Sequence, residues 1–197
     1  MSLSASLPTA AQGSVGIPSR PQQQLLLDLQ LEPLPTLERF IVGSNAELLA
    51  RLRTLTDPHH FDAVYLWGVS GCGKSHLLKA TAHAASASRP IVFLDAEKVG
   101  AGMTAASGSL LVIDDIHALD EAGQRALFQL YNAARYLGLA LLLSGTTSPL
   151  QLHLREDLRT RIGQMLIYEV QPLSDEEKAA VLLQHAQVRG MVMEPAV

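Results

Sequence analysis

The chain has 197 residues and a formal net charge of −4, from 15 Lys and Arg against 19 Asp and Glu. That balance gives no general electrostatic pull toward nucleic acid or anionic membrane, so any such contact needs a local basic patch. Hydrophobic residues make up 48%, which excludes disorder throughout and allows a real core without staples. The single cysteine, Cys72, excludes an internal disulfide framework and fits a reducing compartment. No two-His helix motif accompanies it, so a structural zinc is not expected.

Residues 1–23 are rich in Ser, Ala, Pro and Gln, with Arg20 as their only charge, and read as a flexible tail. They lack the basic start and apolar stretch of a secretory leader, and no run approaches the ~20 apolar residues of a bilayer span. The expectation is a cytoplasmic protein without a membrane partner. Residues 24–39 hold Gln24-Leu25-Leu26-Leu27-Asp28-Leu29 and a tether punctuated by Pro33 and Pro35.

The globular part is expected from residue 40. Ser44-Asn45-Ala46-Glu47 is a capping-box pattern opening a helix to about Leu55. Ala63–Trp67 reads as a buried strand, followed by a glycine-rich turn and a helix over 74–87. Strands follow at 91–94, Leu110–Asp114, 139–143 and 165–170. A helix is expected over 120–136, with Leu127, Leu130 and Tyr131 on one face. Ser174-Asp175-Glu176-Glu177 is a second capping box, starting a helix that should stop at Gly190. Unalternating apolar strands interleaved with helices predict an α/β domain, a five-stranded parallel sheet covered by helices on both faces.

Gly68-Val69-Ser70-Gly71-Cys72-Gly73-Lys74-Ser75 matches the G-x-x-x-x-G-K-[ST] phosphate loop. Its glycines let successive backbone N–H groups wrap a phosphate at a helix N-terminus. Lys74 would reach the β- and γ-phosphates, and Ser75 would offer its hydroxyl to Mg²⁺. Gly68, Ser70, Gly71, Cys72, Gly73, Lys74, Ser75 and His76 are therefore the candidate nucleotide-binding residues. For His76 a nucleotide-edge contact competes with a partly buried place on the helix. Cys72 competes in the same way with a small side chain turned aside.

Asp114 and Asp115 end the apolar strand Leu110–Asp114, where α/β sheets bind ligands. Asp114 is the candidate Mg²⁺ ligand, with Ser75, and Asp115 the candidate for polarising an attacking water.

The phosphate loop, Ile113-Asp114-Asp115-Ile116-His117 and Arg159-Thr160-Arg161 resemble the AAA+ module of the bacterial initiator DnaA. Tyr168-Glu169-Val170-Gln171-Pro172-Leu173-Ser174-Asp175-Glu176 and the hexapeptide at 24–29 carry a closer resemblance to the Hda family, regulatory inactivators of DnaA. The resemblance runs from about Gln24 to the last residue and implies an AAA+ core over 40–172. It also implies a helical lid over 173–197, of which only the first helix is expected. The cofactors it implies are ADP or ATP with Mg²⁺, and the implied partners are DnaA and the sliding clamp of DNA polymerase III, its beta subunit.

By position, Arg161 falls where the family carries an arginine finger acting in trans, an effect of about 10³–10⁵ in rate. Arg155 and Arg159 have a solvated helix edge as the competing reading. Residues 24–29 look like the family's clamp-binding peptide, with Gln24, Leu25, Leu27 and Leu29 as the contacts. Thr146 stands where the family usually has an acidic sensor 1 residue, so weak or absent hydrolysis by the protein itself is expected. The resemblance leaves self-association open and gives no reason to expect sequence-specific DNA binding. A self-contained ATPase, initiator or helicase-loader module is the alternative, and a clamp adaptor with a vestigial pocket a third reading.

Overall fold

The computed structural model describes residues 34–188. The residues named above for clamp binding, Gln24, Leu25, Leu27 and Leu29, lie outside that range, as does the expected stop at Gly190. Strands β1 (Ala63–Trp67), β2 (Ile91–Asp95), β3 (Leu110–Asp114), β4 (Ala140–Gly145) and β5 (Leu166–Glu169) form one sheet in the order β2-β3-β4-β1-β5. All four pairings are parallel. Parallel pairing needs crossovers, and helices supply them: α2 (Lys74–Ala85) joins β1 to β2, α3 (Glu121–Leu137) joins β3 to β4, and α4 (Glu156–Ile162) joins β4 to β5. Before the sheet stands α1 (Ala46–Thr54), and after it α5 (Asp175–Val188).

Two apolar layers explain why the strands lack alternation. Leu110, Val112, Ala140 and Leu142 pack with Val64 and Leu66 against α1 and α2. Their neighbours Leu111, Ile113, Leu141 and Leu143 pack with Tyr65 against α3 and α4. Both faces of each central strand are thus covered, as a parallel sheet requires. Leu127 is fully buried and Leu130 nearly so, while Tyr131 packs partly buried beside them. Each fully buried leucine contributes roughly 1.5–3 kcal/mol of transfer free energy.

Helix boundaries follow local chemistry with one exception. Asp120 caps α3 by accepting from Gly123 N at 2.7 Å, and Gly138 ends it in the left-handed region. The second capping box forms reciprocally: Glu177 N donates to Ser174 Oγ at 3.2 Å and Ser174 N to Glu177 Oε2 at 2.8 Å. The first does not form. Asn45, rather than Ser44, precedes α1, and its side chain makes no cap. It instead donates to Gln171 O at 3.2 Å and accepts from Gln171 N at 3.0 Å. Asn45 is buried, and this long-range pair ties the start of α1 to the segment leaving β5. For α4 the sequence offers only a helix edge at Arg155 and Arg159 and sets no bounds, because seven residues with Leu158 and Ile162 inward make too short a pattern to stand out.

The end of the sheet opposite the phosphate loop is organised by Arg89, which is 4% exposed. Its guanidinium donates to the carbonyls of Gly108 (2.8 Å), His60 (2.9 Å), Leu55, Asp57 and Ser109 (3.3 Å each). The Phe61 ring lies 5.9 Å from it. Burial pulls this pKa down and Asp57 opposes the shift. Arg89→Met keeps the volume but takes a donor from five carbonyls, two of them in fully buried bonds, although Ser109 O and Asp57 O keep a backbone donor. We expect it to lower unfolding free energy by about 2–4 kcal/mol, read by urea denaturation. A loss below 0.5 kcal/mol, about the level of an ordinary surface change, contradicts this account.

Candidate functional site: a phosphate cleft at the carboxyl ends of three strands

Because β3, β4 and β1 are adjacent, the loops leaving their carboxyl ends meet. A cleft of about 320 Å³ opens there, lined by Ser70, Gly71, Gly73, Lys74, Ser75, His76, Asp115, His117 and Thr146. The loop between β1 and α2 thus reaches residues following β3 and β4.

The loop curls as a phosphate nest must. Gly73 precedes α2 with φ 102, in the left-handed region, where a side chain is strained. A Cβ there would also come within 2.9 Å of Phe40 Cε2, so the ring of Phe40 seats directly against the turn. Lys74 is 6% exposed. It donates from Nζ to Gly68 O at 2.8 Å and Val69 O at 3.0 Å, with Cys72 Sγ a weak third partner at 3.9 Å. A phosphate oxygen is a far stronger acceptor than a thiol sulfur, so the third N–H favours a phosphate in the cleft.

Not every residue named from the sequence lines the cleft. Gly68 lies beneath the loop, its carbonyl held by Lys74. Cys72 is 7% exposed and packs into the apolar layer under α2, the small-residue reading. His76 does line the cleft, half-buried on α2, while its Nε2 lies 3.2 Å from Thr36 O and its ring 6.1 Å from that of Phe40. The partly buried place on the helix is what the structure shows, with the ring also at the cleft wall.

Asp114 is 8% exposed and accepts from the buried Ser144 hydroxyl. Asp115 is exposed, with φ 56, and is the sole non-glycine with positive φ among the described residues. Its N–H donates to Ser144 Oγ at 2.9 Å, and His117 Nδ1 lies 3.8 Å from its carboxylate. Ser144 and His117 were not singled out from the sequence. The signal for Ser144 is a lone hydroxyl ending the apolar run of β4. Thr146 sits on a turn fastened from below, where Tyr65 Oη donates to Thr147 O at 2.7 Å. Gly145 leaves the room that the Tyr65 hydroxyl occupies. Burial pushes the Tyr65 pKa far up, with Asp115 adding to the shift, so this tie stays protonated across the ordinary pH range.

Arg161 stands apart from the cleft, at the last turn of α4. Its guanidinium donates to Gln164 Oε1 at 3.3 Å and lies 5.9 Å from the Tyr131 ring. Arg155 is engaged by both carboxylate oxygens of Asp157, at 3.2 and 2.8 Å, and that pairing holds the Asp157 carboxyl below the usual range.

The cradle fits the phosphates of a nucleotide: a left-handed glycine turn, a lysine and a 12-residue helix beginning at the loop. Ser75, which lines the cleft, and the buried Asp114, which does not, would offer hard oxygens to a hydrated Mg²⁺. The strand order, the loop and the acidic end of β3 define an AAA+ P-loop NTPase core.

Residues 31–107 match the family model of the bacterial DnaA ATPase domain. The fold is also that of AMPPCP-bound DnaA from Aquifex aeolicus, with a TM-score of 0.70 at 20% identity, covering 84% of this chain and 59% of that one. Domain III of the Thermotoga maritima replication initiation protein DnaA gives 0.67 at 18% identity, covering 83% and 79%. A Thermotoga maritima RuvB variant gives 0.64 at 24% identity, covering 81% and 56%. The chain spans 56–59% of the length of the first replication initiators it matches. Together these findings give the chain the AAA+ P-loop NTPase fold, with a match to the DnaA ATPase domain over residues 31–107 and a phosphate loop of the kind that binds ATP or ADP. Among the described residues no helix is long and apolar enough to cross a membrane.

Two substitutions test the cradle. Lys74→Ala removes the charge and should weaken ADP binding about 10- to 100-fold in calorimetry. Gly73→Ala combines left-handed strain with the Phe40 contact and should also weaken it about tenfold or more. An unchanged Kd in both would remove the loop from the binding site.

Proposed function

We propose that this protein is an Hda-like regulator of replication initiation, holding adenine nucleotide in its own cleft while supplying Arg161 to the ATP site of a neighbouring DnaA molecule. The observation that carries this reading is the position of Arg161. It stands in the last turn of a helix outside its own cleft, where its neighbours are an amide and an aromatic ring, and among the described residues it has no carboxylate partner. A guanidinium so placed can swing to a second molecule without breaking a buried ion pair. Such a charge beside a transferring phosphoryl group lowers its barrier by about 4–7 kcal/mol.

Within its own cleft the chain's residues hold rather than react. The turn with Ser70, Gly71, Gly73 and Lys74 would hold the phosphates, and Ser75 with Asp114 would hold Mg²⁺, which screens phosphate charge when bound. Asp115 faces the same cleft, but Thr146 offers a neutral hydroxyl where a carboxylate would orient water more forcefully. Nucleotide then serves chiefly as a conformational ligand. Residues 24–29 tether the regulator to the sliding clamp, with Leu27 and Leu29 entering apolar pockets and Gln24 bonding at the rim.

A second reading, a self-contained ATPase, is favoured by the presence of Lys74, Ser75 and Asp115 in one cleft. Steady-state turnover by the purified protein separates the two, since vigorous hydrolysis without partners supports the second.

In a reconstituted assay with DnaA, clamp and DNA, Arg161→Ala should lose stimulation of DnaA-bound ATP hydrolysis by about 10³-fold or more while keeping ADP affinity. Normal stimulation by that variant removes the finger assignment. Replacing Gln24, Leu27 and Leu29 together by Ala should abolish co-elution with the clamp, and retained co-elution counts against the tether.

A further inference from the structure

We propose that Ser144 is the positioning residue of this site, setting both acids at the end of β3 for a magnesium nucleotide through one hydroxyl. This deepens the nucleotide-holding reading above and rests on it.

Ser144 is fully buried at the carboxyl end of β4, a strand whose other side chains are apolar or absent. Its hydroxyl has one proton and two lone pairs. The proton goes to Asp114 Oδ1, and one lone pair takes the Asp115 N–H at 2.9 Å. The first bond fixes the rotation of the Asp114 carboxylate. With Oδ1 engaged, Oδ2 remains the oxygen for a hydrated cation. The second bond holds the backbone of Asp115 at φ 56 and ψ 48, a left-handed conformation that costs an ordinary residue energy. That turn is what carries the Asp115 side chain into the cleft.

The two acids follow one another in the chain, yet one is buried and the other exposed. Helical or extended backbone at Asp115 would aim its carboxylate elsewhere. One hydroxyl from the neighbouring strand therefore couples the orientation of the cation ligand to the conformation that exposes its neighbour. Ser144 is two residues before Thr146, which lines the cleft itself. Its effect passes through Asp114 and Asp115, with no contact to nucleotide.

The test is the Mg²⁺ dependence of nucleotide binding, read by the fluorescence of mant-AMPPNP in Mg²⁺ and in EDTA, for the full chain. Ser144→Ala removes donor and acceptor, and Ser144→Cys keeps the volume with a weak donor, should the alanine variant fold poorly. Both should lose about tenfold of the affinity gained on adding Mg²⁺, as outer-sphere partners of a metal ligand do. Affinity in EDTA should stay within about twofold, and Ser144→Thr should restore the Mg²⁺ gain. A full Mg²⁺ gain in the Ala and Cys variants overturns the proposal. So does an equal loss in both media, which marks a purely structural serine, and so does a wild-type affinity that Mg²⁺ leaves unchanged. No binding by the wild-type protein in either medium sinks the nucleotide reading itself.

Discussion

Parallel pairing places the carboxyl ends of β3, β4 and β1 side by side, and every group in the cleft takes its position from that adjacency. The register sets Leu143 beside Tyr65 on one side and Ile113 on the other. Their shared burial in one apolar layer resists slippage, because a one-residue shift would turn each strand's side chains to the opposite face. A phosphate loop after β1, two acids after β3 and a hydroxyl before the β4 turn then need only short excursions to meet. The chemistry of the site is local, but its assembly is a property of the sheet.

Buried polar groups mark both ends of that sheet. Near the cleft, Ser144 satisfies Asp114 and the Asp115 amide together. At the far end, Arg89 donates to five carbonyls of the strand entries and the turn after α1, of which Ser109 O and Asp57 O also accept a backbone N–H. Among the described residues no buried side-chain polar atom lacks a partner. A low-dielectric interior makes such networks costly when incomplete, so both specify one arrangement of their loops.

The segment preceding the core bears directly on the loop. Thr36 meets His76, Phe40 seats against Gly73, and Asn45 holds Gln171 just before α5. Residues 36–45 therefore touch the phosphate loop, the helix that follows it and the segment leaving β5. A nucleotide that settles the loop would alter the footing of that stretch, a physical route by which a bound ligand could act as a conformational signal in the proposed regulator.

Much of this molecule was legible in the chain because strands buried on both faces leave continuous apolar runs. Ala63–Trp67 and Leu110–Asp114 stand in the structure with those bounds. The loop at residues 68–75 was legible for a related reason, since a backbone nest needs glycines at set spacing. Short-range pattern failed where a distant partner outbid it. Ser44 offered a cap, but Asn45 is claimed by Gln171, 126 residues away. Helix α4 is too short to show a period. Strand order, the turning of Cys72 into the core and the junction of Ser144 with Asp114 belong to the tertiary structure alone. Each depends on which surfaces meet across 30 residues or more, and no local rule encodes that choice.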